Sequence, residues 1–352
     1  MRIREEQPED YNSILLLTYE AFLTLDYPGR QRMDEHFLVS LLHGSSFIIP
    51  KLCFVMEREG KIVGHILYTK SEIKKADGTK TQAITFGPLS VLPTHHRQGI
   101  GSALVRHSLE RAHKLGYGAV LITGVPDYYP KLGFRRARDY GLTLADGSSP
   151  DAFMAYELQS GYLSAGGVFG GLAPEFDRAE NDDIGFAAFH RCFMSKYYPD
   201  ELILRPLFDN DVAFMERWLK TDHVKPWYEH PEDWLHEINN RHGKFFFITH
   251  LIAEFEGTPI GFCQFYDMFY SQEDWLHSNT PGVMFSIDYL IGEPEHLHKG
   301  LGQKMIAQML NIMRGKGIKT VVVKPDGDNA KSNCAIEANR FVWTGSYYIL
   351  EL

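Results

Sequence analysis

Two glycine-rich stretches, RQGIGSALV (residues 97–105) and HKGLGQKMI (residues 298–306), limit most tightly how this chain folds. Gly99 and Gly300 lie 201 residues apart, and so do Gly101 and Gly302. In both, a basic or amide residue precedes Gly-x-Gly and an amphipathic run follows. Solenoid repeats recur about every 20–50 residues. One turn repeated at this much wider spacing points to a duplicated domain. The length of 352 residues suits two domains, and 44% hydrophobic with 13% aromatic residues gives each half enough to bury a core.

Each half reads in the same order. The first opens with a short strand and a helix beginning near Pro8–Asp10. CFVMERE and KIVGHILYTKSEI follow as a hairpin turning at Glu59-Gly60. AITFGPLSVLP is a strand, the glycine turn opens a helix, and YGAVLITG is a strand. That helix carries Leu104, Val105, Ser108, Leu109, Ala112 and Leu115 at helical spacing and stops at Gly116. The second half repeats the series: LILRPLFDNDVAFMERWL, a hairpin turning at Glu256-Gly257, the strand GVMFSIDYLIGEP, a turn and helix ending at Gly315 or Gly317, and KTVVVKP. Between them, residues 166–199 are rich in Gly, Ala and Pro and read as a last strand, a connection and a helix over 184–198. The expected domains are 1–165 and 200–352, joined by 166–199.

The net charge of −9 is unevenly placed. Residues 1–165 carry 19 Lys and Arg against 18 Asp and Glu, whereas residues 200–352 carry 14 against 22. The acidity either aids solubility or draws a cationic substrate to the second half. No basic patch suggests nucleic acid. Cys53, Cys192, Cys263 and Cys334 form no C-x-x-C pair, which argues against a disulfide framework and a structural zinc site and fits a reducing compartment. With no apolar leader and no apolar run of membrane-spanning length, the expectation is a cytoplasmic protein without metal or membrane partner. The oligomeric state is open, a homodimer among the options.

A Gly-x-Gly between a strand and a helix leaves backbone N–H groups pointing out of the helix N-terminus, which suits a pyrophosphate. A dinucleotide site would need a third glycine and a βαβ unit. Here Ser102, Ala103 and Leu104 follow the first pair, and an antiparallel hairpin precedes it.

The order strand, helix, hairpin, strand, glycine turn, helix and strand resembles the GNAT family of acyl-CoA-dependent N-acyltransferases. The family turn, [Q/R]-x-x-G-x-[G/A], holds the pyrophosphate of coenzyme A. This chain reads HRQGIG and LHKGLG, with His96 and Leu297 departing at the first position. The resemblance implies two tandem α/β (α+β) folds, each a mixed, mostly antiparallel sheet flanked by helices, with acetyl-CoA as cofactor. By the same resemblance Leu89, Val91, Arg97, Gln98, Gly99, Ile100, Gly101 and Ser102 would hold coenzyme A in the first half. Leu290, Gly292, His298, Lys299, Gly300, Leu301, Gly302, Gln303, Asn329 and Asn333 would do so in the second.

The halves differ in their chemistry. The first resembles small bacterial members with a YYxxxGF segment, here YYPKLGF, which makes Tyr129 the implied acid for the departing thiolate; the rival reading is a packing tyrosine. Its strand TFGPLSV offers no carboxylate, so the base is water, Glu20 or Asp26. The second half resembles the aminoglycoside 6′-N-acetyltransferases, with siderophore-type acyltransferases as neighbours. Asp288 lies 12 residues before Gly300, as Gly87 lies 12 before Gly99. An amine attacks a thioester only after losing its proton, so a carboxylate here can bind or deprotonate an ammonium. The resemblance adds Asp274 as a contact for substrate amines, and Trp227, Tyr228 and Trp275 as walls of the pocket. Ile336 and Arg340 stand where that family has Tyr and Gly, and Ile cannot protonate a thiolate.

The function expected is acetyl transfer to a primary amine of a cationic small molecule such as an aminoglycoside or polyamine. The alternatives are a siderophore-precursor or protein N-acyltransferase, or an enzyme with one half reduced to an acyl-CoA-binding module.

Overall fold

The computed structural model describes residues 1–23, 25, 31–271 and 273–352. Asp26, one candidate base, lies outside them. Two compact units are present. One contains residues 1–23 and 33–186; the other contains residues 187–352 together with Leu25, Gln31 and Arg32.

In the first unit the described elements are β1 (Arg2–Glu5), α1 (Tyr11–Phe22), α2 (Glu35–His43), β2 (Phe54–Arg58), β3 (Lys61–Lys74), β4 (Lys80–Val91), α3 (Ile100–Lys114), β5 (Ala119–Thr123), β6 (Arg135–Arg136), β7 (Leu142–Thr143), β8 (Phe153–Glu157), β9 (Gly167–Phe169) and α4 (Pro174–Asn181). The sheet runs β1-β2-β3-β4-β5-β8-β6, with β9 pairing β3 and β7. Its neighbours are antiparallel except β4 with β5 and β7 with β9. Helix α5 (Asp183–Tyr197) spans the division between the units. The stretch read as a connection is therefore split, with β9 and α4 belonging to the first unit.

The second unit comprises β10 (Leu202–Pro206), α6 (Val212–Trp218), α7 (Pro231–Asn239), β11 (Ile248–Phe255), β12 (Thr258–Asp267), β13 (Met284–Ile291), α8 (Leu301–Gly315), β14 (Thr320–Val323), α9 (Ala330–Ala338), β15 (Val342–Trp343) and β16 (Tyr348–Glu351). Its sheet runs β10-β11-β12-β13-β14-β16-β15 and is antiparallel except for β13 with β14. Both units thus have the mixed, mostly antiparallel sheet expected.

The duplication extends to side chains. Arg4 grips Asp10 at 2.6 and 2.9 Å, and Asp10 accepts from Gln7 N at 2.8 Å. Arg205 and Asp211, each 201 residues on, repeat the pair at 2.6 and 2.9 Å, with Phe208 N donating at 2.8 Å. Both hairpins turn through left-handed Glu-Gly pairs, Glu59-Gly60 and Glu256-Gly257. The apolar stripe of α3 (Leu104, Val105, Leu109, Ala112) packs on Ile66, Ile84, Val120 and Ile122. That of α8 (Met305, Ile306, Met309, Leu310, Met313) packs on Cys263, Phe265, Ile287 and Val321.

One feature of each sheet prepares the site. Pairing of β4 with β5 is confined to Ile84↔Val120, and that of β13 with β14 stops at Ser286↔Val322. Beyond these points the parallel neighbours diverge. The far ends of β4 and β13 therefore present free backbone edge in a wedge that leads to the glycine turn, where an extended ligand can add like a strand.

Candidate active site

The glycine turns are alike in backbone as well as sequence. Arg97 and Gly99 have φ of 59° and 80°; His298 and Gly300 have φ of 62° and 72°. Alternation through the left-handed region folds successive N–H groups toward one side, and the first turn of α3 or α8 adds its own free N–H groups. Arg97, Gln98, Gly99, His298, Lys299 and Gly300 are exposed. A cleft of about 450 Å³ lined by Met1, Ile3, Met56, Gln98, Gly99, Ile100, Ala103 and His107 borders the first turn on the side of β1 and β2. Leu89 and Val91 face Gly101, each 3.7 Å from where a Cβ would lie. The geometry fits a pyrophosphate with an extended arm in the wedge.

Ile100 and its counterpart Leu301 are buried under their turns. Leu290 is buried on β13. Trp218 lies so close to Gly292 that a Cβ there would sit 2.2 Å from the indole, so this glycine is needed for packing. Gly302 flanks Tyr289 and Gln303 is exposed. Asn329 caps α9 by accepting from Ser332 N at 3.1 Å, and Asn333 donates to the carbonyls of Asp326 and Asn329. The two asparagines brace the loop before α9.

In the first unit Tyr129 packs edge-on against Phe134 and Tyr128 and close to Phe86. Burial, aided by the neighbouring Tyr128 hydroxyl, pushes its phenol up to about 12, so it remains a proton donor at neutral pH. Tyr128 reaches the turn itself, its hydroxyl 3.1 Å from Ser102 Oγ.

In the second unit Asp288 lies mid-strand on β13, directly across from Gln264 on β12. Gln264 Nε2 donates to Asp288 Oδ2 at 3.0 Å. Gln264 Oε1 is buried and lacks a partner, an acceptor left over beside the carboxylate. Crowding by protein, then the negative fields of Glu237 and Glu273, raise the Asp288 carboxyl to about 7, against the pull of Gln264. Glu273 also accepts from Tyr266 Oη at 3.3 Å and from Trp275 Nε1 at 2.9 Å. Glu273 is thus tied to Tyr266 and Trp275, although it is exposed, as Asp274 is. Trp227 is 41% exposed. Tyr228 donates to the Tyr289 carbonyl at 2.8 Å and leans on Trp234, so it buttresses β13.

Ile336 is fully buried in the core. The hydroxyl the sequence lacks there is approached from the strand instead. Tyr289 lies 3.8 Å from the Cβ position of Gly302 and bonds Ser332 Oγ at 2.8 Å. Burial raises its phenol to about 12. Sequence reasoning missed Tyr289, Gln264, Glu237 and Glu273. The only local signal was adjacency, Tyr289 beside Asp288 and Glu273 beside Asp274. Among the described residues no cluster of three or more His, Cys, Asp and Glu is placed to hold a metal, and no helix is long and apolar enough to cross a membrane.

Two models of the acetyltransferase (GNAT) domain match the chain, one over residues 50–136 and one over residues 208–347, together more than half of its length. The N-acetyltransferase YjhQ of Escherichia coli is 35% identical over 101 residues, covering 29% of this chain and 55% of that protein. Aminoglycoside N(6′)-acetyltransferase type 1 of Klebsiella pneumoniae is 29% identical over 121 residues, covering 32% of this chain and 60% of that protein. The chain thus spans a little over half the length of these relatives. Escherichia coli YhbS is 28% identical over 164 residues and is covered to 91%. The crystal structure of YhbS with CoA matches with a TM-score of 0.43 at 25% identity, covering 50% of this chain and 92% of that one. With its two matched domains and the repeated turn, the chain belongs to the GNAT acetyltransferase family.

Proposed function

We propose that this protein transfers the acetyl group of acetyl-CoA to a primary amine, and that its second half takes a cationic small molecule of the aminoglycoside or polyamine kind. The two domains inferred, built on 1–165 and 200–352, each carry one coenzyme turn, and β9 and α4 extend the first. Acetyl-CoA supplies an activated acetyl thioester. Arg97 to Ser102 in the first half, and His298 to Gln303 in the second, would bind its pyrophosphate, with Leu89, Val91, Leu290 and Gly292 along the wedge.

The observation that carries the reading is the environment of Asp288. A carboxyl held near 7 is matched to a proton transfer at neutral pH. Its acidic neighbours favour an ammonium over a neutral acceptor. Asp288 would take the amine's proton, Gln264 Oε1 and Glu273 would hold the remaining N–H donors, and Asp274 with Trp275, Trp227 and Tyr228 would bound the pocket. Tyr289, held by Ser332, is the hydroxyl available to the departing sulfur. In the first half that donor would be Tyr129. The excess of 22 acidic over 14 basic residues in 200–352 would draw cations and make capture salt-sensitive.

The test is thiol release from acetyl-CoA with aminoglycosides, polyamines and neutral amines at low and high salt, with calorimetry of coenzyme binding. Two coenzyme sites per chain are expected, Gly99→Asp and Gly300→Asp each removing one. Open space surrounds both Cβ positions, but φ of 80° and 72° strains any side chain there, so the new carboxylate and the backbone strain would both act against the pyrophosphate. Absence of turnover with every amine would overturn the reading. A second reading, with the later half a binding module, is favoured by one observation, the burial of Ile336. Coenzyme binding without turnover in a Gly99→Asp background would select it.

A further inference from the structure

The first unit has a strand without a carboxylate: Gly87 stands where the second unit has Asp288. The register of β3 with β4 jumps here, Ile66 pairing Leu89 and Tyr68 pairing Phe86, so Gly87 and Pro88 form a bulge at the mouth of the wedge. A bulge re-aims the backbone and often borders a reactive site. What faces it comes from far along the chain. Helix α4 packs on α2, and the ring of Phe176 lies 3.9 Å from the Cβ position of Gly87. Glu175, its neighbour, shares a helix face with the buried Ala179 four residues on. The Oε2 atom of Glu175 is buried and has no hydrogen-bond partner. A carboxylate oxygen withdrawn from water without a donor is costly unless something else, such as a bound cation, completes it.

We infer that Glu175, carried by α4 to the bulge at Gly87, is the amine-handling base of the first half, and that Phe176 forms the wall of its acceptor site. The inference rests on the acetyltransferase reading. Residues 174–181 are then part of the first active site rather than a linker, in keeping with their place in the first unit.

The step balances. Glu175 accepts one proton from the substrate ammonium, and the freed nitrogen pair forms the C–N bond to the acetyl carbon. Tyr129 gives its proton to the sulfur as the C–S bond breaks, and is reprotonated by the second proton that the nitrogen sheds. Glu175 returns its proton to solvent, leaving an N-acetyl amine and free thiol.

The experiment uses the full chain in a Gly300→Asp background, which confines turnover to the first half. Thiol release is measured for Glu175→Gln with alkylamines, which are cations at neutral pH, and with methoxyamine, which is neutral there. Loss of a positioned base should lower the alkylamine rate about 10²-fold or more, leaving the methoxyamine rate and the acetyl-CoA Kd near the parent values. Phe176→Ala should raise KM for the acceptor with a smaller effect on kcat. Equal losses with both acceptors would mark a structural role and overturn the inference, as would an alkylamine rate that does not change. If the parent itself turns over with no amine while binding acetyl-CoA, the acetyltransferase reading of this half fails and the inference falls with it.

Discussion

Gln264 Nε2 donates to Asp288 Oδ2 at 3.0 Å, and this bond opposes burial and the fields of Glu237 and Glu273, all of which raise the carboxyl toward 7. The base form of Asp288 is deprotonated, so amine acetylation by the second half should increase with pH through about 7. Gln264→Leu removes the stabilising donor and should move that increase to higher pH. Asp288→Asn should keep coenzyme binding and lower amine acetylation about 10²- to 10⁴-fold. Rate–pH profiles of the three proteins on one polyamine check this; identical profiles for wild type and Gln264→Leu would refute it.

The same carboxyl makes a stability prediction with a definite sign. Its folded pKa of about 7 exceeds the usual carboxylate value, so the folded state holds a proton that the unfolded state has released between about pH 4 and 7. Stability must therefore fall as pH rises through that window. Asn has no such term. Asp288→Asn should raise the melting temperature at pH 8 by a few degrees and change it far less at pH 4. Melting scans at the two pH values decide; an equal shift at both would show that the carboxyl is not perturbed by the fold.

Tyr129→Phe should leave acetyl-CoA affinity intact and lower first-half turnover by about 10²-fold, the usual scale for a positioned acid. Tyr289→Phe should do the same for the second half. Because both phenols are raised to about 12, neither loss should vary between pH 6 and 9. Steady-state kinetics with calorimetry separates turnover from binding. Unchanged kcat would reduce either tyrosine to packing.

The duplicated arginines should differ in energetic weight. Arg205 is buried between Asp211 and Glu254, and His190 completes the cluster. Arg4 holds Asp10 and Glu57 with its side chain 25% exposed. Arg205→Met strands two buried carboxylates and should cost about 3–5 kcal/mol. Arg4→Met leaves Asp10 with only the Gln7 N–H and Glu57 with water, and should cost less, about 1–2 kcal/mol. Urea unfolding midpoints compare the two; equal shifts would contradict the burial argument.

Much of the fold was legible because its signals are local. The turns at Glu59-Gly60 and Glu256-Gly257, the glycines that open α3 and α8, and the apolar stripes of those helices each depend on residues within a few positions, so the doubled pattern is written in the sequence itself. Asp288 could be singled out in the same way, by its spacing from Gly300 and the contrast with Gly87. Short elements such as α2, α4 and α7 carry too few turns for period to reveal them. The surroundings of the site were beyond the sequence for a different reason. Gln264 meets Asp288 through strand register, and Glu273 accepts from Tyr266 Oη on another strand. Tyr289 approaches the second turn across helix α9, and Phe176 reaches Gly87 from a helix 89 residues away. Spacing along the chain determines which side chains an element offers to one face; only sheet register and helix packing bring the faces of distant elements together, and the proton-handling groups proposed here depend on that convergence.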